Sequence, residues 1–215
     1  MGNDVADRLA LISRIVELPA DGTIIFEGDF AADLFVVSSG IVRIFKLLPD
    51  GRRQITRFFY PGDFLGVDFN DHYDFGAEAA TAISLVAIRR RGLEQLIEEV
   101  PKMRRMFLSD AFSEQVVAQD RMLLLGRKLA TERVTSFLLM EARRQGARAA
   151  GSANKLQIPL CRSDIADYLG LTLEAVSRSL GILRREGIIR VYRSRREIEV
   201  VSWGKLENLS GESSR

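Results

Sequence analysis

Residues 162–187 read RSDIADYLGLTLEAVSRSLGILRREG, and this stretch decides the fold of the C-terminal part of the chain. Ala166 falls where two helices cross, because a small side chain there lets their backbones approach closely. Gly170 falls where the turn between the helices needs a positive φ, which glycine adopts without strain. This register predicts a helix-turn-helix whose second helix begins near Thr172. Ser179 departs mildly from the pattern, since an aliphatic residue is more usual at its position.

The second predicted helix carries three polar side chains on one face. Glu174, Ser177 and Arg178 are three and four residues apart, so they project from the same side of a helix. In the DNA major groove, arginine can donate two hydrogen bonds to guanine, and glutamate can accept one from cytosine. The same spacing also occurs as an exposed Glu–Arg pair on an ordinary helical hairpin. The three residues therefore need support from the rest of the chain.

Charge and the segment after the motif both favour DNA binding. Residues 126–215 contain 17 Lys/Arg and 10 Asp/Glu, net +7, whereas residues 1–125 contain 14 and 19, net −5. After the motif, GIIRVYRSRREIEVVSW (187–203) consists of two β-rich runs around a basic tip. The tip contains Arg193, Arg195 and Arg196. We predict that this segment is the wing of a winged helix-turn-helix and that its tip contacts DNA phosphates.

The N-terminal half has the pattern of an antiparallel sandwich or barrel. Between residues 18 and 88, short β-rich runs alternate with glycines that recur mostly every ten to twelve residues. A short helix is predicted over 92–100 and a second one over about 127–145. LQIPL (156–160) is predicted to be a short edge strand.

A long amphipathic helix is predicted between these halves, from Lys102 to about Leu125. Its apolar spacing near 3.5 favours a coiled-coil-like dimer seam, and packing on the protein's own sheet is the alternative. The predicted seam consists of Met103, Met106, Phe107, Phe112, Val116, Val117, Leu123 and Leu124. We therefore predict an α+β fold with three parts: an antiparallel β domain (1–100), a dimerisation helix (101–126) and a winged helix-turn-helix (127–215).

Three stretches together make the sequence recognisable. Residues 164–189 resemble the cyclic-AMP receptor protein/FNR superfamily, and within it the FixK-like and FNR-like regulators with their E-x-x-S-R recognition helix. Residues 19–66 are similar to the family's cyclic-nucleotide-binding-like β-roll, and residues 118–139 to its dimer-helix end and hinge. The resemblance extends over about residues 15–205.

The resemblance implies a homodimeric transcription regulator, an activator of low-oxygen genes, which reads a TTGAT-N4-ATCAA-like palindrome. Glu174, Ser177 and Arg178 match the family's base-contacting residues. The residues that would then contact phosphate are Arg162, Ser163 and Thr172, a role that fixes register but not sequence. A contact surface for RNA polymerase is a further possible partner site.

The predicted β-roll lacks the residues that the family's known ligands need. Cyclic-nucleotide binders place a Glu and then an Arg after PGDFxG; here Val67 follows PGDFLG, and no Lys or Arg lies between Phe58 and Ile88. A cyclic phosphate would instead meet a negative field. The acidic residues of this segment are Asp63, Asp68, Asp71, Asp74 and Glu78.

The other sensors of the family are also disfavoured. The chain has one cysteine, which excludes an iron–sulfur cluster with four cysteine ligands. One cysteine and one histidine are also too few for the four ligands of a structural zinc site, which is therefore disfavoured. His72, the only histidine, lies in a polar loop that is expected to be solvated, which disfavours haem. Asp68, Asp71 and Asp74 lack the glycine of a calcium loop. We expect no cofactor; a β-roll that binds an uncharged or hydrophobic effector is the alternative.

Two further function classes are disfavoured by the sequence. It offers no Ser/His/Asp set, phosphate-cradling glycine loop or paired catalytic carboxylates, so we expect no enzyme. Its longest apolar runs are four or five residues, far below the roughly 20 that cross a bilayer. We therefore expect a cytoplasmic protein without a membrane partner, and a single cysteine fits that reducing compartment.

Cys161 precedes the first helix of the motif, at the position where many helices carry a serine or threonine N-cap. Asp164 follows at the position of a capping box. A thiol at a helix N-terminus beside Arg162 favours the thiolate and hence oxidation. Two interpretations stay open: a weak cap, or a redox switch in which a sulfinate or sulfonate repels DNA. Some FixK-like regulators resemble this chain in having a cysteine at the equivalent position.

Overall fold

The computed structural model describes residues 2–66, 70–101, 118–147, 154–192 and 196–211. The chain divides into two compact units, Met1–Ala118 and Gln119–Arg215. The boundary falls within the segment 101–126.

The N-terminal unit contains two four-stranded antiparallel sheets. The strands pair in the orders β1-β8-β3-β6 and β2-β7-β4-β5. The elements are α1 (Gly2–Leu11), β1 (Ser13–Leu18), β2 (Thr23–Ile25), β3 (Asp33–Ser39), β4 (Val42–Leu47), β5 (Arg53–Phe59), β6 (Phe64–Leu65), β7 (Gly76–Ala79), β8 (Ile83–Arg89) and α2 (Arg90–Glu99). The predicted β-roll is thus confirmed, with an additional N-terminal helix that the sequence pattern did not indicate.

The core of this unit lies between the two sheets. Apolar side chains that alternate along the strands meet there, and Val42, Ala77 and Leu85 are completely buried. The hairpin between β4 and β5 turns at Gly51, whose φ of +83° is the conformation that glycine adopts without strain.

The C-terminal unit combines helices with a small three-stranded sheet. Its elements are α3 (helical over 118–127), α4 (Ala130–Arg144), β9 (Lys155–Gln157), α5 (Arg162–Leu169), α6 (Leu173–Arg185), β10 (Ile189–Val191), β11 (Glu197–Val200) and α7 (Trp203–Ser210). The sheet order β10-β11-β9 puts β9 on an edge, as predicted, although of LQIPL only Leu156 and Gln157 belong to the strand. The α+β architecture with a winged helix-turn-helix is therefore confirmed.

Two boundaries of this unit differ from the sequence-based expectation. Helix α3 continues through Gly126 to residue 127. Residues 128 and 129 are not helical, and Leu129 has an extended backbone, so the second helix begins at Ala130 instead of about residue 127. The β-run that was predicted to end at Trp203 is shorter, because Trp203 begins α7. Leu206 on that helix is completely buried, so burial of an apolar side chain stabilises an element that the sequence pattern did not indicate.

Candidate nucleic-acid interface

Helices α5 and α6 form the predicted helix-turn-helix. Helix α5 ends at Gly170, which has φ +60° and ψ +43°, so the predicted positive φ is confirmed. The Thr172 hydroxyl then accepts a hydrogen bond from the Ala175 amide at 3.1 Å and caps α6. The side chains buried in this motif include Ile165, Ala166, Leu169 and Val176.

Ser179 has a structural reason for its polar side chain. It is only 2% exposed, and its hydroxyl accepts a hydrogen bond from the Thr131 hydroxyl at 3.4 Å. Thr131 belongs to α4, so this contact joins α4 to the middle of α6. A buried hydroxyl with a partner avoids the desolvation cost that an unpaired one would have.

The three predicted base-contacting residues lie together on the first half of α6. Glu174 and Arg178 are exposed, whereas Ser177 is half-buried and accepts a hydrogen bond from Arg162 Nη1 at 3.0 Å. The structure therefore brings Arg162, expected at a phosphate, beside one of the base-contacting candidates. Its guanidinium holds the Ser177 hydroxyl on the exposed face of the motif.

Glu174 is held in its ionised form. A hydrogen bond from its own backbone amide, another from the Thr172 hydroxyl and the charge of Arg178 lower its pKa below the usual value. A carboxylate that stays ionised near neutral pH is a hydrogen-bond acceptor only, as a contact to the amino group of cytosine requires.

Sequence reasoning missed Leu173, the first residue of α6. Its side chain is 46% exposed although it is large and apolar. A large apolar side chain exposed beside Glu174 is of the kind that can contact a thymine methyl group in a major groove. The signal was present in the sequence as an apolar residue at the start of the recognition helix, outside the buried face.

A groove of about 520 Å³ lies beside the recognition helix. Arg162 and Arg184 contribute two guanidinium groups to it, and Tyr192 lines it from the end of β10. The remaining lining residues are Ser177, Leu180, Gly181 and Val191. Two arginines in an open groove give it the charge that suits a phosphate of the DNA backbone.

Cys161 is the N-cap of α5, as predicted. Its Sγ accepts a hydrogen bond from the Asp164 amide at 3.4 Å, and Sγ lies 2.9 Å from the Ser163 hydroxyl oxygen. The thiol is exposed. Helix N-termini attract anions because their first amides are unpaired and the helix dipole is positive there. Cys161 and Ser163, a predicted phosphate contact, therefore share one anion-favouring position.

The wing consists of β10 and β11, which pair antiparallel, with β9 on the other side of β11. Of its three predicted phosphate-contacting arginines, Arg193 and Arg195 lie outside the described residues. Arg196 is exposed, and its backbone carbonyl accepts a hydrogen bond from the Ile158 amide at 2.6 Å. This bond ties the wing to the segment that leads into α5.

Most of the predicted dimer seam, from Met103 to Val117, lies outside the described residues. Within the described part of α3, Leu123 is 62% exposed and Leu124 is half-buried. Met122 is also exposed, at 72%. Such large apolar side chains on one helix are available for contact with another surface.

The β-roll places its candidate ligand-binding residues at the surface or in ion pairs. His72 is exposed and its ring meets Phe30 edge-on. The described residues contain no group of three potential metal ligands. Glu78 does not contribute a free negative charge, because its carboxylate binds Arg43 from β4 and Arg53 from β5.

Both units match known family models. Residues 132–209 match the Crp-like helix-turn-helix domain, and residues 15–100 match the cyclic nucleotide-binding domain. The chain is 39% identical over 180 residues to the nitrogen fixation regulation protein FixK of Bradyrhizobium diazoefficiens. These residues make up 84% of this chain and 76% of that protein. The chain is a FixK-like member of the Crp/Fnr superfamily.

Other members of the Crp/Fnr superfamily agree with this assignment. The transcriptional activator protein FnrL of Cereibacter sphaeroides is 33% identical, over 91% of this chain and 79% of that protein. The solved structure of FixK2 from Bradyrhizobium japonicum superimposes with a TM-score of 0.86 at 36% identity, covering 94% of this chain and all of that one. The resemblance seen in the sequence is therefore confirmed.

The described helices carry no segment that is both long enough and apolar enough to cross a membrane.

Proposed function

We propose that this protein is a sequence-specific transcription activator that binds, as a homodimer, a TTGAT-N4-ATCAA-like palindrome upstream of low-oxygen-response genes. The observation that carries the proposal is the exposed start of α6, where Glu174 and Arg178 point outward and Ser177 is held beside them. The net charge of +7 over residues 126–215 supports a polyanionic partner. The relatives' names, a FixK regulator and an FnrL activator, support regulation of transcription.

The contacts divide into two kinds. Glu174, Ser177 and Arg178 contact base edges, and Leu173 adds an apolar contact to a thymine methyl. Phosphates are contacted by a larger set that positions the protein. This set consists of Arg162, Ser163, Thr172, Arg193, Arg195 and Arg196.

Partners and location follow from the same proposal. A palindrome with two half-sites needs two recognition helices, which a dimer through the predicted seam supplies. An activator recruits RNA polymerase, which is the second macromolecular partner. The protein acts in the cytoplasm, has no membrane partner and is not an enzyme.

The proposal is tested by selecting binding sites from a random DNA pool with the purified protein. We expect two inverted TTGAT-type half-sites. Glu174→Ala and Arg178→Ala should each lose about 1–3 kcal/mol of discrimination at the base that the residue contacts. Competition binding with single-base substitutions in the selected site measures this loss.

Lys205→Ala is the matched control, because it removes one exposed positive charge from α7. We expect it to leave base discrimination unchanged. If the Glu174 and Arg178 variants retain the wild-type base preferences, these two residues of α6 do not contact base edges and the proposal is wrong.

We further propose that oxidation of Cys161 switches DNA binding off. The thiol is exposed at the N-terminus of α5, where a DNA phosphate would dock. Hydrogen peroxide transfers one oxygen atom at a time to the sulfur and leaves as water, which yields a sulfenate, then a sulfinate and a sulfonate. The last two carry a fixed negative charge that repels the phosphate.

Peroxide treatment before a DNA-binding assay tests the switch. We expect wild type to lose binding and Cys161→Ser to keep it, with the mass of the oxidised peptide confirming the added oxygens. Equal loss in both proteins, or loss in neither, contradicts the switch.

A second candidate function, gating by a small effector, is favoured by one observation in the β-roll. A cavity of about 260 Å³ opens between the edge strands β1 and β2, with Arg14 and Asp33 among its polar residues. Its apolar lining includes Val16, Leu18, Ile25, Phe30 and Phe35. An uncharged or hydrophobic effector suits this lining. DNA affinity that rises only when a metabolite extract is added, together with a raised melting temperature, would favour it.

A further inference from the structure

Arg133, near the start of α4, binds four backbone carbonyls from two separate parts of the C-terminal unit. Its Nη2 donates to Leu125 O at 2.8 Å, and its Nε donates to Lys128 O at 2.9 Å. Its Nη1 donates to Leu169 O at 3.0 Å and Gly170 O at 3.4 Å. The first pair of acceptors lies at the end of α3, and the second lies at the turn between α5 and α6.

Leu125 and Leu169 lie in the last turns of α3 and α5, and Lys128 and Gly170 directly follow those helix ends. The last carbonyls of a helix have no partner within it, and the negative end of the helix dipole adds to their attraction for a cation. The planar arginine fork has donors on both sides, so one side chain satisfies both helix ends at once. Arg133 thereby fixes the end of α3 against the turn of the DNA-binding motif.

Arg121 makes a second connection between the same two places. It belongs to α3, its Nη2 donates to Tyr168 O at 3.0 Å, and its guanidinium lies 4.3 Å from the centre of the Tyr168 ring. Burial lowers the pKa of Arg121, and the contacts with Tyr168 partly oppose this effect. A partly desolvated cation on an aromatic ring and a carbonyl is held in a defined geometry.

We propose that Arg121 and Arg133 are positioning residues that set the spacing between the two half-sites the dimer accepts. They hold α5 and α6 at a fixed orientation to α3, the helix on which Leu123 and Leu124 of the proposed dimer seam lie. The distance and rotation between the two recognition helices of the dimer then depend on these contacts. The inference rests on the proposed homodimeric binding to a palindrome.

Spacer length is the sensitive readout of this geometry. Adding one base pair moves a half-site by about 3.4 Å along the DNA and rotates it by about 35°. A dimer with rigidly held recognition helices discriminates against this change, whereas one with loosened motifs adapts to it. Base preference within a half-site depends on the face of α6 and does not change.

The experiment starts from the palindrome that wild type selects from a random pool. Duplexes with this site and with its spacer shortened or lengthened by one base pair are then compared by competition. We expect wild type to prefer its own spacer about tenfold or more, within the usual range of coupling between two sites. Arg133→Ala, Arg133→Lys and Arg121→Ala should reduce this preference to about threefold or less.

Two variants separate geometry from charge. Arg133→Lys keeps the positive charge, but a compact ammonium group cannot bridge carbonyls on both sides, so we expect it to behave like Arg133→Ala. Arg127→Ala removes an exposed arginine from the same α3 and should keep the wild-type spacer preference. Circular dichroism and melting temperature check that each variant is folded; if Arg133→Ala is not, Arg133→Lys and Arg121→Ala provide the test.

The outcomes distinguish this inference from the proposed function. Loss of spacer preference with unchanged base preference supports it. A retained spacer preference overturns it, and so does a parallel loss of base and spacer preference, which indicates general loosening of the motif. A wild-type palindrome other than TTGAT overturns only the proposed half-site, because the spacer comparison uses whatever site is selected. A pool without paired half-sites overturns both.

Discussion

Three arginines of the N-terminal unit bind carboxylates, whereas two arginines of the C-terminal unit bind backbone carbonyls. Arg43 and Arg53 share the Glu78 carboxylate at 2.7 and 3.0 Å, and Arg14 binds Asp33 at 2.7 Å. Arg43 also binds Asp21 at 2.7 Å, so these three arginines lie against three carboxylates. The N-terminal unit therefore presents little uncompensated positive charge from these residues.

The basic residues of the C-terminal unit have both kinds of partner. Arg121 and Arg133 both donate to backbone carbonyls, and a carbonyl acceptor satisfies a donor without adding a negative charge. Arg178 is exposed on the recognition helix. Lys155 and Glu197, 2.9 Å apart beside the wing, are an ion pair of the other kind.

This difference shows how similar residues serve two purposes. A carboxylate partner holds strands together and leaves the surface near neutral, while a carbonyl partner positions a helix and leaves the field positive. Composition sets the net charge, which is −5 over residues 1–118 and +7 over residues 119–215, whereas the bonding partner decides what each arginine does within its unit.

The largest expected effect tests the carboxylate-bound side of the comparison. Arg43 is 5% exposed, and Arg43→Met removes a charge that binds Glu78 and Asp21. We expect the free energy of unfolding to fall by about 2 kcal/mol, below the full cost of breaking a buried pair because Arg53 still binds Glu78. Urea denaturation measures the decrease.

The control for Arg43 is Lys46→Met on the same strand. Lys46 is 40% exposed and its ion pair with Glu27 lies at the surface, so we expect a change of less than about 0.5 kcal/mol. Equal effects of the two variants would show that the buried carboxylate contacts do not stabilise the β-roll.

A smaller effect tests the charge that the C-terminal unit retains. Arg196→Ala should weaken DNA binding to all sequences alike and reduce the slope of log affinity against log salt by about one, as expected when a single phosphate is no longer neutralised. Binding titrations over a range of salt concentrations measure the slope. Arg91→Ala removes an exposed arginine from α2 and should leave the slope unchanged. An equal decrease of the slope in the Arg196 and Arg91 variants would contradict phosphate contact by the C-terminal unit alone.

The smallest expected effect concerns an uncharged contact of the C-terminal unit. Cys161→Ser should raise the free energy of unfolding by a few tenths of a kcal/mol, because a hydroxyl is a better N-cap acceptor than the thiol. Cys161→Ala removes the acceptor and should lower it by about 0.5 kcal/mol. Thermal and urea unfolding of the reduced proteins give both values, and equal stability of the Ser and Ala variants would contradict a capping role.

The parts of the fold that were predictable are those determined by local sequence. Ala166 and Gly170 specify the crossing and the turn of the motif by size and backbone conformation. Gly51 does the same for the β4–β5 hairpin. These residues act within a few positions of the structure that they determine, so their register is visible without tertiary contacts.

The parts that sequence reasoning missed depend on distant partners. β7 reads GAEA, which has little β-propensity, and it forms because β4 and β2 pair with it on both sides. Helix α7 depends on burial of Leu206. The carbonyl contacts of Arg133 were equally invisible, because a backbone acceptor has no signature in the sequence.

Cys161 gives the proposed DNA complex a built-in reporter. It is the single cysteine among 215 residues, it is exposed, and it lies where a phosphate is proposed to dock. A thiol-reactive dye therefore attaches at one known position without any engineered substitution. Bound DNA shields that position, so the rate of labelling measures the fraction of DNA-binding domains that are unoccupied at any moment.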